Sequence, residues 1–380
     1  MKILADENIP YVKQAFESLG EVTLHPGRTM SNEIVRDADI LLVRSVTKVN
    51  RELLDGSRVK FVATATIGMD HLDEAYLKQS GIGFTNAAGS NANSVAEYIV
   101  AALLTYAIWR EICLEGKALG IVGIGNIGSI LVKKAAGLGL QVLQNDPPLA
   151  RETGEKRFIP LDELMEADFI TAHVPLTKDG IDQTFHMFNS ERLRKMKPGS
   201  VFINASRGSV HETAAVKEVL EAGHLDAIML DVWENEPNID ANLLQQVELG
   251  SPHIAGYSFD GKVNGTTMIY EAACRHFNIS PTWDAKKVMP KPEPDEFVLD
   301  AANRSDEQAL HDLIRRIYSI EADDIRMRKY IELPQAEQGA YFDSLRKNYP
   351  RRREFHNYKI QVKNASSKLV TKLRILGFQV

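Results

Sequence analysis

The sequence predicts an α/β protein with two doubly wound parallel-sheet domains and an extra C-terminal α+β domain. Short β-branched runs alternate with helical patterns up to about residue 284, as in parallel sheets covered by helices. A glycine-rich turn joins a strand to a helix near the middle of the chain. A Pro- and charge-rich stretch, MPKPEPDEF, then marks a boundary. We therefore expect one domain from 1–92 with 258–284, a second from 93–257, and a third from 285–380.

The composition is that of an ordinary globular protein. The 380 residues are 44% hydrophobic and 25% charged, and the net charge of −6 argues against wholesale binding to nucleic acid or a membrane surface. Cys113 and Cys274 form no CxxC pattern, so neither a disulfide framework nor a metal site is predicted. MKILADENIP lacks the pattern of a signal peptide, and the longest apolar run contains Glu97. We expect a cytoplasmic protein with one buried apolar helix.

The first domain contains the strand-like runs KILAD, DILLVRS and KFVATATIG. In doubly wound sheets, ligands bind beyond the carboxyl ends of the strands. Arg44 and Ser45 follow the second of these runs, and Thr66 lies at the end of the third. These three residues are therefore candidates for binding a substrate.

A long apolar helix is predicted next. Ser94 and Glu97 have the spacing of an N-terminal capping box, which places the start of the helix at Ser94. The helix is apolar on nearly all sides, which is typical of a helix packed between domains.

The strongest local signal is GIVGIGNIGS, between a predicted strand and a predicted helix. Glycines in this GxGxxG spacing let backbone amides at a helix N-terminus approach a pyrophosphate. The next strand, LQVLQND, ends in Asp146, where a carboxylate accepts hydrogen bonds from an adenosine ribose and repels a 2′-phosphate. The pattern predicts a Rossmann domain that prefers NAD to NADP. The predicted loop contacts are Gly123, Gly125, Asn126, Ile127 and Gly128.

Four further strand-like runs end in polar or turn residues. Because the carboxyl ends of parallel strands meet at one edge of the sheet, these residues can converge on one crevice. They are His173 and Pro175 in HVPLT; Ala205, Ser206, Arg207 and Gly208 in NASRGS; Asp231 and Glu236 in LDVWENEP; and His253, Gly256 and Tyr257 in SPHIAGY.

Three of these residues have the chemistry to oxidise a 2-hydroxy acid. The planar fork of Arg207 suits a carboxylate and a neighbouring oxygen. His253 can take a proton from a hydroxyl as hydride leaves its carbon. Glu236 can orient the imidazole ring. With NAD nearby, the three residues together predict a dehydrogenase site.

From about 60 to 258, the chain resembles the D-isomer-specific 2-hydroxyacid dehydrogenases. Seven motifs occur in the order of that family: ATIGMDHLD, SVAEYIVAALL, GIVGIGNIGS, HVPLT, NASRGSV, LDVWENEP and SPHIAG. The resemblance implies that Arg207 binds and polarises the substrate, Glu236 orients the imidazole, and His253 is the acid/base. It also implies that Ser206, Asp231 and Gly256 line the nicotinamide pocket, with NAD as the cofactor.

Other segments resemble one branch of that family, whose substrate carries a phosphate. They are ADENIPYV, DILLVRSVTKVN, TKDGIDQTFHMF and GYSFDGK, together with the C-terminal segment. A phosphorylated substrate needs a cation and donors away from His253. Arg44 and Ser45 are the candidates, with Thr66 and Tyr257 in support. A surface ion pair explains Arg44 equally well from the sequence alone.

The C-terminal tail is basic. Residues 341–380 contain ten Lys or Arg against Asp343 and Glu354. The basic residues are spread through predicted structure without aromatic stacking motifs, which favours an interface or a solvated face over nucleic acid. The resemblance implies that this segment is a dimerisation domain, so we expect a homodimer. The run 351–353 could also reach a substrate phosphate, although the sequence does not place it.

Two other functions remain open from the sequence. One is a phosphoglycerate or glycerate dehydrogenase. An amino-acid-sensing tail domain would favour phosphoglycerate dehydrogenase, but the tail of this chain does not resemble one. The other is a relative that senses NAD without turnover. Absence of Arg207, Glu236 or His253 would favour this alternative. Because all three residues are present, we favour NAD-dependent oxidation of a phosphorylated 2-hydroxy acid.

Overall fold

The computed structural model describes residues 1–380 and divides into two compact units. Unit 1 comprises Met1–Asn91 and Ser258–Lys291, and unit 2 comprises Ala92–Tyr257 and Pro292–Val380. The C-terminal segment thus groups with the glycine-loop region in one unit. The expected three-domain division stays a prediction.

Unit 1 is built on a five-stranded parallel sheet. Its strands are β1 (Lys2–Asp6), β2 (Glu21–His25), β3 (Ile40–Val43), β4 (Phe61–Thr64) and β5 (Gly83–Asn86), in the order β2-β1-β3-β4-β5. The order reverses between β1 and β3, so the ends of these two strands flank a switch point. The α-helices are Val12–Phe16, Asn32–Val35, Arg51–Leu54, Glu74–Gln79 and Phe259–His276, with 3₁₀ turns at Gly27–Thr29 and Ala285–Lys287.

Both faces of this sheet are buried, as a doubly wound fold requires. Successive side chains of a strand point to opposite faces, so Ile40 and Leu42 join one apolar cluster while Leu41 and Val43 join another. Ile269 of the helix Phe259–His276 packs in the first cluster. The chain therefore returns to unit 1 after residue 257 to cover its sheet.

Unit 2 contains a six-stranded parallel sheet. Its strands are β6 (Ala118–Val122), β7 (Gln141–Asn145), β8 (Phe169–Ala172), β9 (Val201–Asn204), β10 (Ala227–Leu230) and β11 (Leu249–Gly250), in the order β11-β10-β9-β8-β6-β7. The order reverses between β6 and β8, which creates a second switch point. The helices between the strands are Asn126–Leu138, Pro147–Thr153, Leu161–Leu164, Ser190–Lys195, Thr213–Glu221 and Ala241–Gln246, with a 3₁₀ turn at Gly208–Val210. The predicted pair of doubly wound sheets is confirmed.

The C-terminal segment of unit 2 has its own small sheet and four helices. β12 (Glu296–Asp300) pairs in parallel with β13 (Lys359–Lys363). Gly377 caps the last helix with a φ of 110°. The α+β character of the segment is thus as expected. The α-helices are Asp306–Ile317, Ile320–Arg328, Gln335–Lys347 and Ser367–Leu376, with 3₁₀ turns at Lys329–Glu332 and Phe355–Asn357.

The long apolar helix, Ala92–Trp109, has the length and composition of a membrane span, but 83% of it is buried inside the protein. The capping-box prediction is wrong, because the helix begins before Ser94. The Ser94 hydroxyl donates to Glu354 at 2.6 Å, and the Phe355 amide donates to Glu97 at 3.0 Å. Ser94 and Glu97 thus bind the C-terminal segment. Their partners lie more than 250 residues further along the chain.

A buried charged cluster joins this helix to the C-terminal segment. The Asn93 amide group donates to Glu97 at 2.9 Å and to Glu354 at 2.7 Å. Lys134 Nζ lies 3.9 Å from Glu97. The pKa of Glu97 is raised to about 8, mainly by burial and to a smaller extent by the negative charge of Glu354. Glu97 therefore carries a proton through most of the neutral range.

Glu97→Gln is expected to make folding stability less sensitive to rising pH. The pKa of Glu97 is about 8 in the folded state and ~4.3 in an unfolded chain. Protonation of Glu97 therefore stabilises the fold fully below pH ~4.3, and this stabilisation is lost as the pH rises through 8. Gln is neutral at all pH values and keeps an acceptor for Phe355. Thermal unfolding at pH 5.5 and 8.5 should show the variant gaining about 1–3 kcal/mol relative to wild type at the higher pH, with allowance for the neighbouring cations.

The exposed Glu152→Gln is the matched control and should show no such trend. Parallel pH profiles of Glu97→Gln and wild type would mean that Glu97 is ionised throughout.

Candidate active site

The glycine loop lies at the switch point of the unit 2 sheet, after β6. A Cβ on Gly123 would lie 2.6 Å from the carbonyl oxygen of His173, and a Cβ on Gly128 would lie 2.1 Å from the carbonyl oxygen of Gly123. These two glycines are required by the packing of the protein itself. At Gly125, in contrast, a Cβ would have no atom within 4 Å. Close approach of a ligand to the backbone accounts for glycine at this position.

The helix Asn126–Leu138 starts directly after Gly125, and no side chain caps its N-terminus. Its first amides are therefore left to bind an anion, with the helix dipole in support. The open position at Gly125 and these uncapped amides fit the pyrophosphate of a dinucleotide.

Asp146 follows β7 and binds two backbone amides. Its Oδ2 accepts from the Ile124 amide at 2.8 Å, and its Oδ1 accepts from the Leu149 amide at 3.1 Å. Asp146 thus joins the glycine loop to the next helix, a role that the sequence did not indicate. A carboxylate has about four lone-pair sites, so it can also accept from a ribose, as expected.

Asp146→Ala is expected to weaken NAD binding and to reduce the preference for NAD over NADP. The variant removes both the ribose acceptor and the charge that repels a 2′-phosphate, worth on the order of ten- to a hundredfold in affinity. Titrating each cofactor by fluorescence measures both effects. Asp146→Asn removes the charge and keeps one of the two side-chain acceptors that bind Ile124 and Leu149, so it tests the repulsion of a 2′-phosphate with a smaller change than Ala. An unchanged NAD/NADP ratio in both variants would mean that Asp146 does not face the ribose.

His173 follows β8 and is buried beside the glycine loop. Its Nε2 lies 3.0 Å from the Thr171 hydroxyl, and its Nδ1 has no partner in the protein. Burial lowers the pKa of His173 to about 3. The ring is therefore neutral and offers a hydrogen-bonding nitrogen at the switch point. Pro175 lies exposed two residues further on.

The loop after β9 carries Arg207 and is organised by Asn204, which the sequence reasoning missed. Asn204 Oδ1 accepts from the amide of Ser206 at 3.0 Å and from its hydroxyl at 2.8 Å, while Nδ2 donates to the Arg207 carbonyl at 3.0 Å. A Cβ on Gly208 would lie 1.9 Å from the carbonyl oxygen of Trp233. Glycine therefore lets the loop of Arg207 and Ala205 lie directly against the segment that leads to Glu236.

Glu236 and His253 form the expected pair. Glu236 Oε2 lies 2.8 Å from His253 Nδ1, and Oε1 accepts from the Trp233 amide at 2.9 Å. Burial raises the pKa of Glu236, but His253, the Trp233 amide and Arg346 together hold it below its usual range. The ionised carboxylate fixes a proton on Nδ1 and leaves Nε2 for a reacting group.

The backbone of His253 adopts a left-handed conformation with a φ of 57°. Its amide donates to the Asp231 carbonyl at 2.7 Å. The carboxylate of the same aspartate accepts from the Ser251 hydroxyl and from the amides of Ile254 and Ala255, at 2.6 to 2.9 Å. Asp231 therefore positions the loop that carries His253, and this loop ends at Gly256 and Tyr257. The cofactor contact expected of Asp231 stays a prediction.

The arginine run near the C-terminus is partly structural. Arg352 is buried and donates to the backbone carbonyls of Ala255, at 3.2 Å, and Ser94. Arg353 is also buried and donates to Asn357 at 2.8 Å. Arg352 therefore holds the backbone beyond His253 rather than serving as a mobile cation.

In unit 1, the candidate substrate residues lie at strand ends as expected. Arg44 directly follows β3 at the switch point, makes no ion pair, and is followed by an exposed Ser45. The ion-pair interpretation of Arg44 is thus wrong. The Thr66 hydroxyl lies 2.7 Å from that of Thr64, which in turn lies 2.9 Å from His71 Nε2. His71 was not singled out from the sequence.

Two family models match the chain. The model described as the NAD-binding domain of D-isomer-specific 2-hydroxyacid dehydrogenases matches residues 105–255. A model described as a domain of unknown function, DUF3410, matches residues 288–377.

Relatives named erythronate-4-phosphate dehydrogenase match the chain from end to end. The protein from Cellvibrio japonicus is 46% identical over 384 residues, which cover 100% of both chains. The protein from Klebsiella pneumoniae is 42% identical, with 100% of this chain and 98% of the relative covered.

Solved structures with a similar fold include a D-lactate dehydrogenase from Aquifex aeolicus complexed with NAD and lactic acid. It is 26% identical, with a TM-score of 0.60 and coverage of 73% of this chain and 96% of that one. The TT0316 protein from Thermus thermophilus is 25% identical, with a TM-score of 0.63 and coverage of 74% and 98%.

Proposed function

The chain belongs to the D-isomer-specific 2-hydroxyacid dehydrogenase family, and from that premise we propose that it oxidises 4-phospho-D-erythronate to 3-hydroxy-2-oxo-4-phosphooxybutanoate with NAD. Full-length relatives at 42–46% identity named erythronate-4-phosphate dehydrogenase support this substrate. That name implies a step in the biosynthesis of pyridoxal 5′-phosphate. The observation that carries the chemistry is the 2.8 Å contact between Glu236 and His253.

NAD, when bound, supplies the acceptor for the hydride from the substrate C2. His253 Nε2 takes the proton of the C2 hydroxyl as the carbonyl forms. Glu236 holds the opposite ring nitrogen and stabilises the positive charge that develops on the imidazole. Arg207 binds the substrate carboxylate and polarises the C2 oxygen.

The phosphate of the substrate requires its own donors, and we propose Arg44, Ser45, Thr66 and Tyr257 for this role. The absence of an ion pair at Arg44 supports the proposal, since its guanidinium then has no carboxylate within the protein to neutralise it. Its position after β3 agrees with the rule that ligands bind at the switch points of doubly wound sheets.

Arg44→Ala is expected to raise the KM for 4-phosphoerythronate on the order of ten- to a hundredfold, as loss of a charge-assisted hydrogen bond does. A non-phosphorylated D-2-hydroxy acid should be affected far less. The exposed Arg36→Ala in the same unit is the control for loss of a surface charge. Equal losses on both substrates would assign Arg44 to the carboxylate or to the fold, and no loss on either would make it a surface residue.

Turnover of 4-phosphoerythronate, 3-phosphoglycerate and glycerate with NAD tests the proposed substrate. The highest kcat/KM is expected for 4-phosphoerythronate. A higher value for either other substrate would overturn the assignment in favour of that substrate. Binding of NAD without turnover of any of the three would indicate a sensing protein.

We also propose that the protein is a cytoplasmic homodimer that assembles through its C-terminal domain. The three most exposed large apolar side chains of this domain are Val298, Ile325 and Ile375. Exposed apolar side chains that cluster into a patch mark interaction surfaces, so these three are the first positions to test.

A further inference from the structure

The C-terminal domain contacts both segments that carry the catalytic pair. The Tyr330 hydroxyl accepts from the Ile239 amide at 2.9 Å, three residues beyond Glu236. On the other segment, Arg352 donates to the Ala255 carbonyl at 3.2 Å, two residues beyond His253. The helix Gln335–Lys347 also packs on the first segment, because a Cβ on its Gly339 would lie 2.5 Å from the side chain of Asn238.

The same helix brings Arg346 to the active site. The Cζ atom of Arg346 lies 5.6 Å from the centroid of the Tyr257 ring, four residues beyond His253. Its Nε is buried and has no hydrogen-bond partner. Arg346 is also one of the positive groups that hold the pKa of Glu236 below its usual range against the effect of burial. The guanidinium therefore lies within electrostatic reach of the catalytic pair.

Tyr257 is held in place by a second residue of the C-terminal domain. Its ring packs edge-on against Tyr349, with centroids 6.0 Å apart and an interplanar angle of 86°. The Tyr349 hydroxyl in turn donates to Asp323 at 2.8 Å. Arg346 and Tyr257 thus form a rigid pair, which a ligand can bind at little cost in side-chain entropy.

Arg346 is half-buried, and a guanidinium whose buried Nε has no partner is stabilised when an anion completes its hydrogen bonds. The proposed substrate carries two anions, and Arg207 accounts for the carboxylate. A phosphate bears a charge of about −1.5 to −2 at neutral pH and offers three acceptor oxygens, so it requires several donors. The planar fork of an arginine matches the geometry of a phosphate.

We propose that Arg346 binds the phosphate of the substrate next to Tyr257, so that the C-terminal domain forms part of the substrate pocket. The inference rests on the proposed function, because it takes a phosphorylated 2-hydroxy acid as the substrate. It gives the segment that matches a domain of unknown function a direct part in specificity.

The test compares Arg346→Gln and Arg346→Lys with wild type in the full-length chain. Arg346→Gln should raise the KM for 4-phosphoerythronate on the order of ten- to a hundredfold, the value of one charge-assisted hydrogen bond. It should also weaken competitive inhibition by inorganic phosphate, while kcat/KM for D-glycerate should fall far less than kcat/KM for 4-phosphoerythronate, because only the effect of Arg346 on Glu236 is lost there. Arg346→Lys should recover part of the loss. The neighbouring exposed Lys347→Gln is the matched control and should change none of these values.

Equal losses of kcat/KM on 4-phosphoerythronate and D-glycerate would overturn the inference, because Arg346 would then only position Tyr257 or Glu236. An unchanged KM for 4-phosphoerythronate would overturn it as well. If Arg346→Gln fails to fold, as judged by circular dichroism, the Arg346→Lys values decide by the same criteria.

Failure of the proposed function has a different signature. If wild type does not oxidise 4-phosphoerythronate, calorimetric titration of wild type and variant with inorganic phosphate still tests Arg346 without turnover. Equal phosphate affinity in that titration would refute the role of Arg346.

Discussion

His253→Asn is expected to lower turnover of 4-phosphoerythronate by ~10²–10⁴, the usual contribution of a general acid/base. Asparagine is suited to this position, because His253 has a φ of 57° and Asn tolerates the left-handed region well. The backbone of the loop should therefore be preserved while the proton acceptor is lost. NAD affinity, measured by fluorescence titration, should stay near the wild-type value because the glycine loop is unchanged.

The chain offers a closely matched control in His186. This histidine also has a positive φ, of 51°, and its Nε2 lies 2.7 Å from Glu234. His186→Asn therefore removes a histidine–glutamate pair with the same backbone conformation, and turnover should stay within about twofold of wild type. Near-native turnover of His253→Asn would remove His253 from the mechanism.

Deleting the chain from residue 290 is expected to abolish the proposed dimer and to leave a protein that is not stably folded. Leu310, Leu313, Phe355 and Leu373 of the deleted segment belong to the same apolar core as the long helix Ala92–Trp109. Each buried side chain of this size contributes about 1.5–3 kcal/mol, so their sum is comparable to the 5–15 kcal/mol that stabilises a typical domain. Light scattering should show aggregate or a destabilised monomer, and circular dichroism should show loss of cooperative unfolding.

A point variant separates folding from association. Ile325→Glu changes a side chain that is 63% exposed, so it should leave the fold intact while it weakens a dimer that uses this surface. A soluble, unchanged dimer after the deletion would place the interface outside the C-terminal domain.

Local backbone constraints explain why much of the site could be predicted from the sequence. The protein has no space for a side chain at Gly123 or Gly128, and the motif therefore identifies the loop without knowledge of the fold. The positions of Asp146 and His253 also follow from the sequence, because each lies just past the end of a recognisable strand. The carboxyl ends of parallel strands meet at one edge, which makes their convergence predictable.

The partners of buried polar side chains were decided only by the tertiary structure. Ser94 and Glu97 match a capping box in sequence, yet both bind residues near position 354. Asp231 is expected to be a cofactor ligand, and in addition both of its oxygens hold the loop of His253, which the sequence did not indicate. Nothing in the local sequence distinguishes these outcomes, since a buried donor or acceptor must pair with whichever group the packing brings within reach.

The same limit applies to Arg346. In the sequence it is one of ten basic residues in a tail that is typical of a solvated or interface surface. The packing of the helix Gln335–Lys347 on the segment after Glu236 places it beside Tyr257. The sequence by itself determined the two doubly wound sheets, the glycine loop and the pairing of Glu236 with His253, because these depend on short-range patterns and strand ends. The contribution of the C-terminal domain to the site depends on contacts between residues about 90 positions apart, which only the folded chain brings together.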